Sequence, residues 1–147
     1  MTITAKIIPG HGAASGKKGD HRYPGGTIAI QAPYFKKLGL DLTRYHPGTL
    51  NIDISPFNYQ IKNPKYFFNQ VEWTKHIPPE NFYFFDVTVS YKMIEHKGLV
   101  YMPDPKTKTE HEQSKTTLEL ILPKIDEIIY GDIFTISVNK NQLELLP

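Results

Sequence analysis

Apolar and polar positions alternate with a period of two along several short stretches of the chain. "TAKIIPG" (residues 4–10) is an apolar run stopped by Pro9 and Gly10, and "GGTIAIQA" (25–32) sets Ile28 and Ile30 against smaller residues. Both are expected to be strands. The rhythm changes at "PYFKKLGL" (33–40), where Tyr34, Phe35 and Leu38 share a helical face, Pro33 suits the first turn and Gly39 supplies a left-handed stop. One short helix is expected there. Alternation resumes in "GTLNIDI" (48–54), and "NFYFFDVTVSYKMIEHKGLVYMP" (81–103) reads as a hairpin with its turn near "HKG". "TTLELIL" (116–122), "DIFTISV" (132–138) and a closing strand "QLELL" (142–146) complete the pattern.

Many short strands, frequent Gly and Pro stops and very little helix favour an all-β fold, a small closed barrel whose closure protects its edges, with one or two short helices. The chain has 147 residues, enough for one hydrophobic core and too few for two comfortable domains, so residues 1–147 are expected to form a single domain. "SGKKGDHRYPGG" (15–26) and "MPDPKTKTEHEQSK" (102–115) are too polar to build core and are expected to be loops.

Composition narrows the chemistry. There is no cysteine, which excludes disulfides, thiolate nucleophiles and Cys-ligated zinc or iron–sulfur centres. The six histidines are scattered without a metal-binding pair spacing. No run approaches the roughly 20 apolar residues of a membrane span and no leader pattern opens the chain, so a cytoplasmic protein without a membrane partner is expected. Net charge is +2, but residues 1–46 carry seven Lys or Arg against two Asp. A basic third of this kind focuses field on an anion such as a triphosphate. It lacks the interleaved aromatics of a single-strand binder, so nucleic acid is not the expected partner.

Two motifs carry candidate chemistry. In "GTLNIDI", positions two apart project to one side, so Thr49 and Asn51 point together while Leu50, Ile52 and Ile54 point inward. Two neutral oxygens on one ledge suit magnesium, which takes one or two protein ligands when phosphates supply the rest. The plainer alternative is that Thr49 caps the turn and Asn51 bonds a neighbouring strand. In "PGHGAASGKKG" (9–19), glycines permit close backbone approach while Lys17 and Lys18 can meet phosphate. This is not a Walker A loop, because it lacks G-K-[ST] after four spacers; on the residues alone a glycine-rich β-turn is the better explanation.

Read in order, "GHGAASGKKG", "APYFKKLGLDLTRYHPGTLNIDI", "LELILPKID" and "YGDIFTISV" resemble the CTP-dependent riboflavin kinases of archaea. The resemblance covers most of the chain and is most specific at "PGTLNI" behind "FKKLG". It implies a six-stranded cradle-loop barrel, acting as a monomer, that transfers the CTP γ-phosphoryl group to the 5′-hydroxyl of riboflavin to give FMN. It further implies Thr49 and Asn51 as magnesium ligands, and Gly16, Lys17, Lys18, Gly19, Gly25, Gly26, Lys124 and Ile125 at the nucleotide. Glu119 and Thr109 would meet the flavin, with Thr107 an equal candidate for the threonine contact. Glu119 is the first candidate for general base, ahead of His111 and Asp53.

Three departures bear on which triphosphate is used, and on whether activity is retained. "KKGDHRYP" (17–24) lengthens the glycine loop, "KIDE" (124–127) places Asp126 and Glu127 where the family tends to carry Leu-Arg, and Asp53 shares the strand face of Thr49 and Asn51. The competing expectation is a non-catalytic barrel that binds a nucleotide or flavin without turning it over.

Overall fold

The computed structural model describes residues 2–9, 27–107 and 115–147. Nine strands and one helix are present among them. Six strands close a barrel: β1 (Thr2–Ile8), β2 (Leu50–Asp53), β5 (Glu80–Tyr91), β6 (Ile94–Pro103), β7 (Thr117–Ile121) and β8 (Ile133–Val138). All neighbours are antiparallel, in the order β5-β6-β7-β2-β1-β8, and β8 returns to β5. Closure rests on the length of β5, whose 12 residues serve two partners on one edge. Its first part pairs with β4 (Tyr66–Val71), while Val87–Ser90 pair with β8.

The remaining pair, β3 (Asn58–Ile61) and β9 (Leu143–Leu146), forms a separate two-stranded ribbon. The closing strand read from "QLELL" therefore does not join the barrel wall. It drives Leu143 and Leu145 into the barrel core instead.

Strand alternation sorts side chains into two cores. Ile3, Ala5 and Ile7 of β1, Phe85, Val87 and Val89 of β5, and Leu118 and Leu120 of β7 fill the barrel. Their intervening neighbours on β5, β6 and β7, namely Phe82, Phe84, Leu99, Tyr101 and Ile121, point outward and are buried beneath helix α1 (Thr27–Lys37). Phe35 of α1 is the centre of that outer core, with ring centroids 5.6 Å from Phe68, 5.0 Å from Phe82 and 5.1 Å from Phe84.

Helix α1 overturns the expectation of a strand over "GGTIAIQA". Its described part is helical from Thr27, and the buried positions are Ile28, Gln31 and Phe35, at helical spacing. The Ile28/Ile30 alternation spans too few residues to separate periods of 2 and 3.6. Pro33 lies inside the helix rather than opening it. Both Pro33 and Ala29, whose carbonyl loses its usual donor, are exposed, so water can serve the missing bond.

The β5–β6 hairpin also turns earlier than expected. Tyr91 pairs with Ile94, and the two turn residues Lys92 and Met93 have φ of 49° and 66°. Gly98, read as part of the turn, lies within β6 opposite Val87. A Cβ there would collide with the carbonyl oxygen of Ile121 and with the Leu122 side chain, so close strand approach explains this glycine. Among the described residues no helix is long and apolar enough to cross a membrane.

Candidate functional site

Strand β2 begins just after a tight turn. The Gly48 N–H donates to the His46 carbonyl (2.9 Å), and the His46 N–H donates to the Leu122 carbonyl (2.9 Å), tying the turn to the end of β7. That tie delivers Thr49 to the outer surface of the β2–β7 pair. Its hydroxyl donates to Glu119 Oε1 at 3.0 Å. Asn51 lies directly opposite Glu119 in the β2–β7 register, and Tyr101 lies directly opposite Glu119 in the β6–β7 register. Directly paired residues project to one face, so Asn51, Glu119 and Tyr101 form a polar row across three strands.

The row runs from the barrel end to the underside of α1. Asn51 is only 8% exposed, Glu119 is half-buried, and Tyr101 is buried. The Tyr101 hydroxyl donates to Gln31 Oε1 at 2.7 Å. Burial pushes the Tyr101 phenol well above its ordinary value, reinforced by the negative charge of Glu119 and then of Glu80. Tyr101 is therefore a fixed neutral hydroxyl. Glu80 itself is buried and accepts from Trp73 Nε1 at 2.8 Å.

A cavity of about 450 Å³ opens beside the row at the barrel end. Its floor is apolar, from Ile7, Leu50, Leu120 and Leu122, and Thr49, His46 and Lys124 bring polar groups to it. The far wall is the segment after β7, which supplies Lys124, Ile125 and Ile128. That segment is held across the barrel end by paired backbone bonds. The Gly131 N–H donates to the Ile7 carbonyl and the Ile7 N–H donates to the Asp132 carbonyl, both at 2.8 Å.

The Asp132 carboxylate adds a side-chain clasp, accepting from the Tyr91 hydroxyl at 2.6 Å and from the Ile129 N–H at 3.2 Å. The Tyr91 bond, then the Ile129 amide, hold the Asp132 carboxyl below its ordinary value. The same bond, followed by burial, pushes Tyr91 up.

Thr49, Asn51 and Glu119 thus lie together, with Lys124 and Ile125 lining the cavity that Thr49 also lines. Thr49 and Asn51 are outside the barrel core, as their strand positions predict, while Ile52 and Ile54 are fully buried and Leu50 is half-buried. Asp53 is occupied elsewhere. Its carboxylate accepts from the Ser55 N–H at 2.9 Å, and its bonds to Ser55 hold it below the ordinary carboxylate value. Thr107 is likewise committed, accepting from the Asn81 N–H at 2.9 Å and donating to the Asp104 carbonyl at 3.2 Å. It does not join the row. Gly16, Lys17, Lys18, Gly19, Gly25, Gly26, Thr109 and His111 lie outside the described residues.

Tyr101 and Gln31 were not among the residues expected from the sequence. A tyrosine in an apolar strand reads as core, and Gln31 lay in a stretch read as strand. Helical spacing from Ile28 through Gln31 to Phe35 was the available signal. For a divalent ion, the Thr49 hydroxyl bonded to Glu119 and the Asn51 side chain paired across from Glu119 are hard-oxygen groups of the kind magnesium takes. No model of a known protein family matches the chain, and no curated protein matches it.

Proposed function

We propose that this protein is a magnesium-dependent riboflavin kinase, a single-chain enzyme that transfers the γ-phosphoryl group of CTP to the 5′-hydroxyl of riboflavin. The supporting observation is the 3.0 Å bond from Thr49 to Glu119, with Asn51 opposite the same carboxylate. Residues 70 positions apart, assigned by resemblance to the metal and to the acceptor, meet on one outer ledge next to an open cavity.

In this reading Thr49 and Asn51 would hold the ion, which would supply neutralisation of the charge on the nucleotide phosphates. Lys124 and Ile125 border the nucleotide, with the cavity taking its less polar part. Glu119 binds the ribityl end of the acceptor and takes the proton of the 5′-hydroxyl. The new bond joins that oxygen to the γ-phosphorus while the bond to the β-phosphate oxygen breaks. Little covalent chemistry is asked of the protein; positioning and charge supply the rate.

The deciding experiment incubates the protein with riboflavin, magnesium and each nucleoside triphosphate in turn, and separates FMN by charge and fluorescence. FMN from CTP that vanishes with a chelator is expected. A flavin that stays unphosphorylated with every triphosphate overturns the kinase.

One observation favours a second reading, a barrel that binds flavin or nucleotide without turnover. Asp126 and Glu127 are exposed immediately after Lys124 and Ile125, and set negative charge beside the proposed phosphate path. Tight riboflavin binding without FMN formation selects that reading.

A further inference from the structure

The cavity at the barrel end has two unlike sides. His46 and Thr49 lie on the β2 side with Lys124 just past β7, and the His46–Leu122 backbone bond ties these segments together. On the other side, where the wall runs into β8, the lining is Ile128, Ile129 and Tyr130, with Ile7 of β1. Tyr130 is the one Phe, Tyr or Trp among the described residues that line the cavity, and it is 57% exposed.

Backbone bonds fix its place. The Asp132 N–H donates to the Ile129 carbonyl at 3.1 Å, closing a turn with Tyr130 and Gly131 at its two central positions. Gly131 has φ of 95°, the left-handed geometry that such a turn takes at its third residue, and its N–H is anchored on the Ile7 carbonyl. A ring presented by a closed, anchored turn loses little freedom when a ligand covers it.

Thr49 precedes β2 and Tyr130 precedes β8, and β1 lies between these strands, antiparallel to both. The two residues are therefore at the same end of the barrel, two strand spacings or about 10 Å apart. A triphosphate held at the Thr49–Asn51 ledge and Lys124 extends its base across that distance, to the apolar side. Bases are told apart by hydrogen bonds to their edges, whereas every base offers a π-face to an aromatic ring. Among the described residues the Tyr130 side brings no carboxylate, amide or cationic side chain to the lining. An apolar wall discriminates weakly between ligands of similar shape.

Building on the kinase reading above, we propose that Tyr130 stacks on the nucleobase of the phosphoryl donor, and that purine triphosphates therefore serve as donors beside CTP. The contact reads the face of the base and leaves its edge unread. A cavity of about 450 Å³ is within the size range of small-molecule sites and leaves room for either ring.

The test is isothermal titration of CTP and of ATP, each with magnesium and without riboflavin, into the wild type, Tyr130→Ala, Tyr130→Phe and Tyr130→Trp, beside initial rates of FMN formation. Tyr130 is exposed, so the variants are expected to melt with the wild type. Tyr130→Ala is expected to weaken both triphosphates about tenfold, while the Phe and Trp variants keep wild-type affinity. In turnover the donor KM rises by the same factor while kcat and the riboflavin KM hold, a split that a merely structural role would not produce. The wild-type KM values for CTP, UTP, ATP and GTP are expected to lie within about tenfold of one another.

Equal affinity in Tyr130→Ala and the wild type overturns the contact. So does a loss in Tyr130→Phe as large as that in Tyr130→Ala, which would assign the effect to the hydroxyl and not to the ring. A wild type that prefers CTP to ATP by more than about 100-fold overturns the breadth of donor use. The kinase reading fails separately. No FMN from any triphosphate rejects it, whereas Tyr130-dependent binding of CTP and ATP by that same protein keeps the base contact, and a wild type that binds no triphosphate rejects both.

Discussion

Glu119 owes its setting to three strands rather than to its own. On β7 it is one polar residue in an apolar run; its neighbours Asn51 and Tyr101 come from strands far away in the chain. Thr49→Val is the sharpest probe of the proposed metal ledge, because valine keeps the shape and removes the oxygen. Magnesium-dependent FMN formation is expected to fall about 100-fold, with a melting curve close to that of the wild type. Asn51→Ala is expected to lose as much turnover but also about 1–2 kcal/mol of stability, since Asn51 is buried and its removal strands the groups around it. Turnover in Thr49→Val equal to the wild type contradicts the ledge.

The strand period alone made the pairing of Thr49 with Asn51 legible. Their meeting with Glu119 was legible only through the resemblance, because no spacing in one chain reports which strands become neighbours. Tyr101 was invisible for the same reason, and Gln31 was missed because its stretch reads as a strand until the spacing to Phe35 is counted.

A second residue-scale expectation concerns the Tyr91–Asp132 clasp beside the cavity. Asp132 has its folded value lowered, so its contribution to stability is present above the ordinary carboxylate value of 3.8 and is lost as pH falls through the lower folded value. Tyr91 has its value raised, so its contribution is complete below 10.0 and is lost as pH rises through the higher folded value. The melting-temperature difference between wild type and Tyr91→Phe is therefore expected to be level through neutral pH and to shrink on the acid side below about 4. A difference independent of pH down to 2 would show that the bond carries no charge-dependent stabilisation.

At the scale of elements, patterns decided the long strands and failed on the short pieces. β5 was readable because an aromatic run from Phe82 to Phe85 leads into strict alternation from Phe85 to Tyr91, β7 because Leu118 and Leu120 alternate with polar residues, and β8 because β-branched and aromatic residues fill it. β3 and β4 lie in a stretch broken by Pro56 and Pro64, where alternation never runs long enough to register. α1 failed for a physical reason: two isoleucines two apart fit either period, and only the later Phe35 breaks the tie.

The β5–β6 turn shows a different limit. Both turn residues have positive φ, the geometry for which Asn-Gly is the usual sequence, yet the chain places Lys92 and Met93 there. A left-handed conformation costs a residue with a side chain roughly 1–2 kcal/mol. Met93 is 98% exposed, so no packing repays it. Replacing the pair, Lys92→Asn with Met93→Gly, is expected to stabilise the protein by about 1 kcal/mol, part of the gain being lost to the greater freedom of glycine in the unfolded chain. A higher urea midpoint at constant slope checks it. A lower midpoint would mean that the side chains at the turn contribute more than their exposure suggests.

For the whole molecule, the barrel and the helix-covered outer core are two faces of the same strands. On β5, Phe82 and Phe84 belong to the outer core while Phe85, Val87 and Val89 belong to the barrel. β6 and β7 divide their residues in the same way, with Leu99 and Ile121 outward and Val100 and Leu120 inward. Loss of the outer core exposes Phe82, Phe84 and Tyr101 on strands that the barrel needs for closure. Loss of the barrel removes the platform on which Phe35 rests. Neither core has an interface along which it can separate, so the protein is expected to unfold in one cooperative step.

Phe84→Ala tests this at the junction. It deletes a fully buried ring between Phe35 and Phe68 and is expected to cost about 3–5 kcal/mol. Near-ultraviolet signals are expected to fall together with the far-ultraviolet strand signal in the variant, as in the wild type, only at lower denaturant. Two separated transitions, an early one carrying the aromatic signal and a later one carrying the strands, would show that α1 and its aromatic bed open on their own. In that case the buried end of the polar row, at Tyr101 and Gln31, would be covered by a lid rather than by a wall.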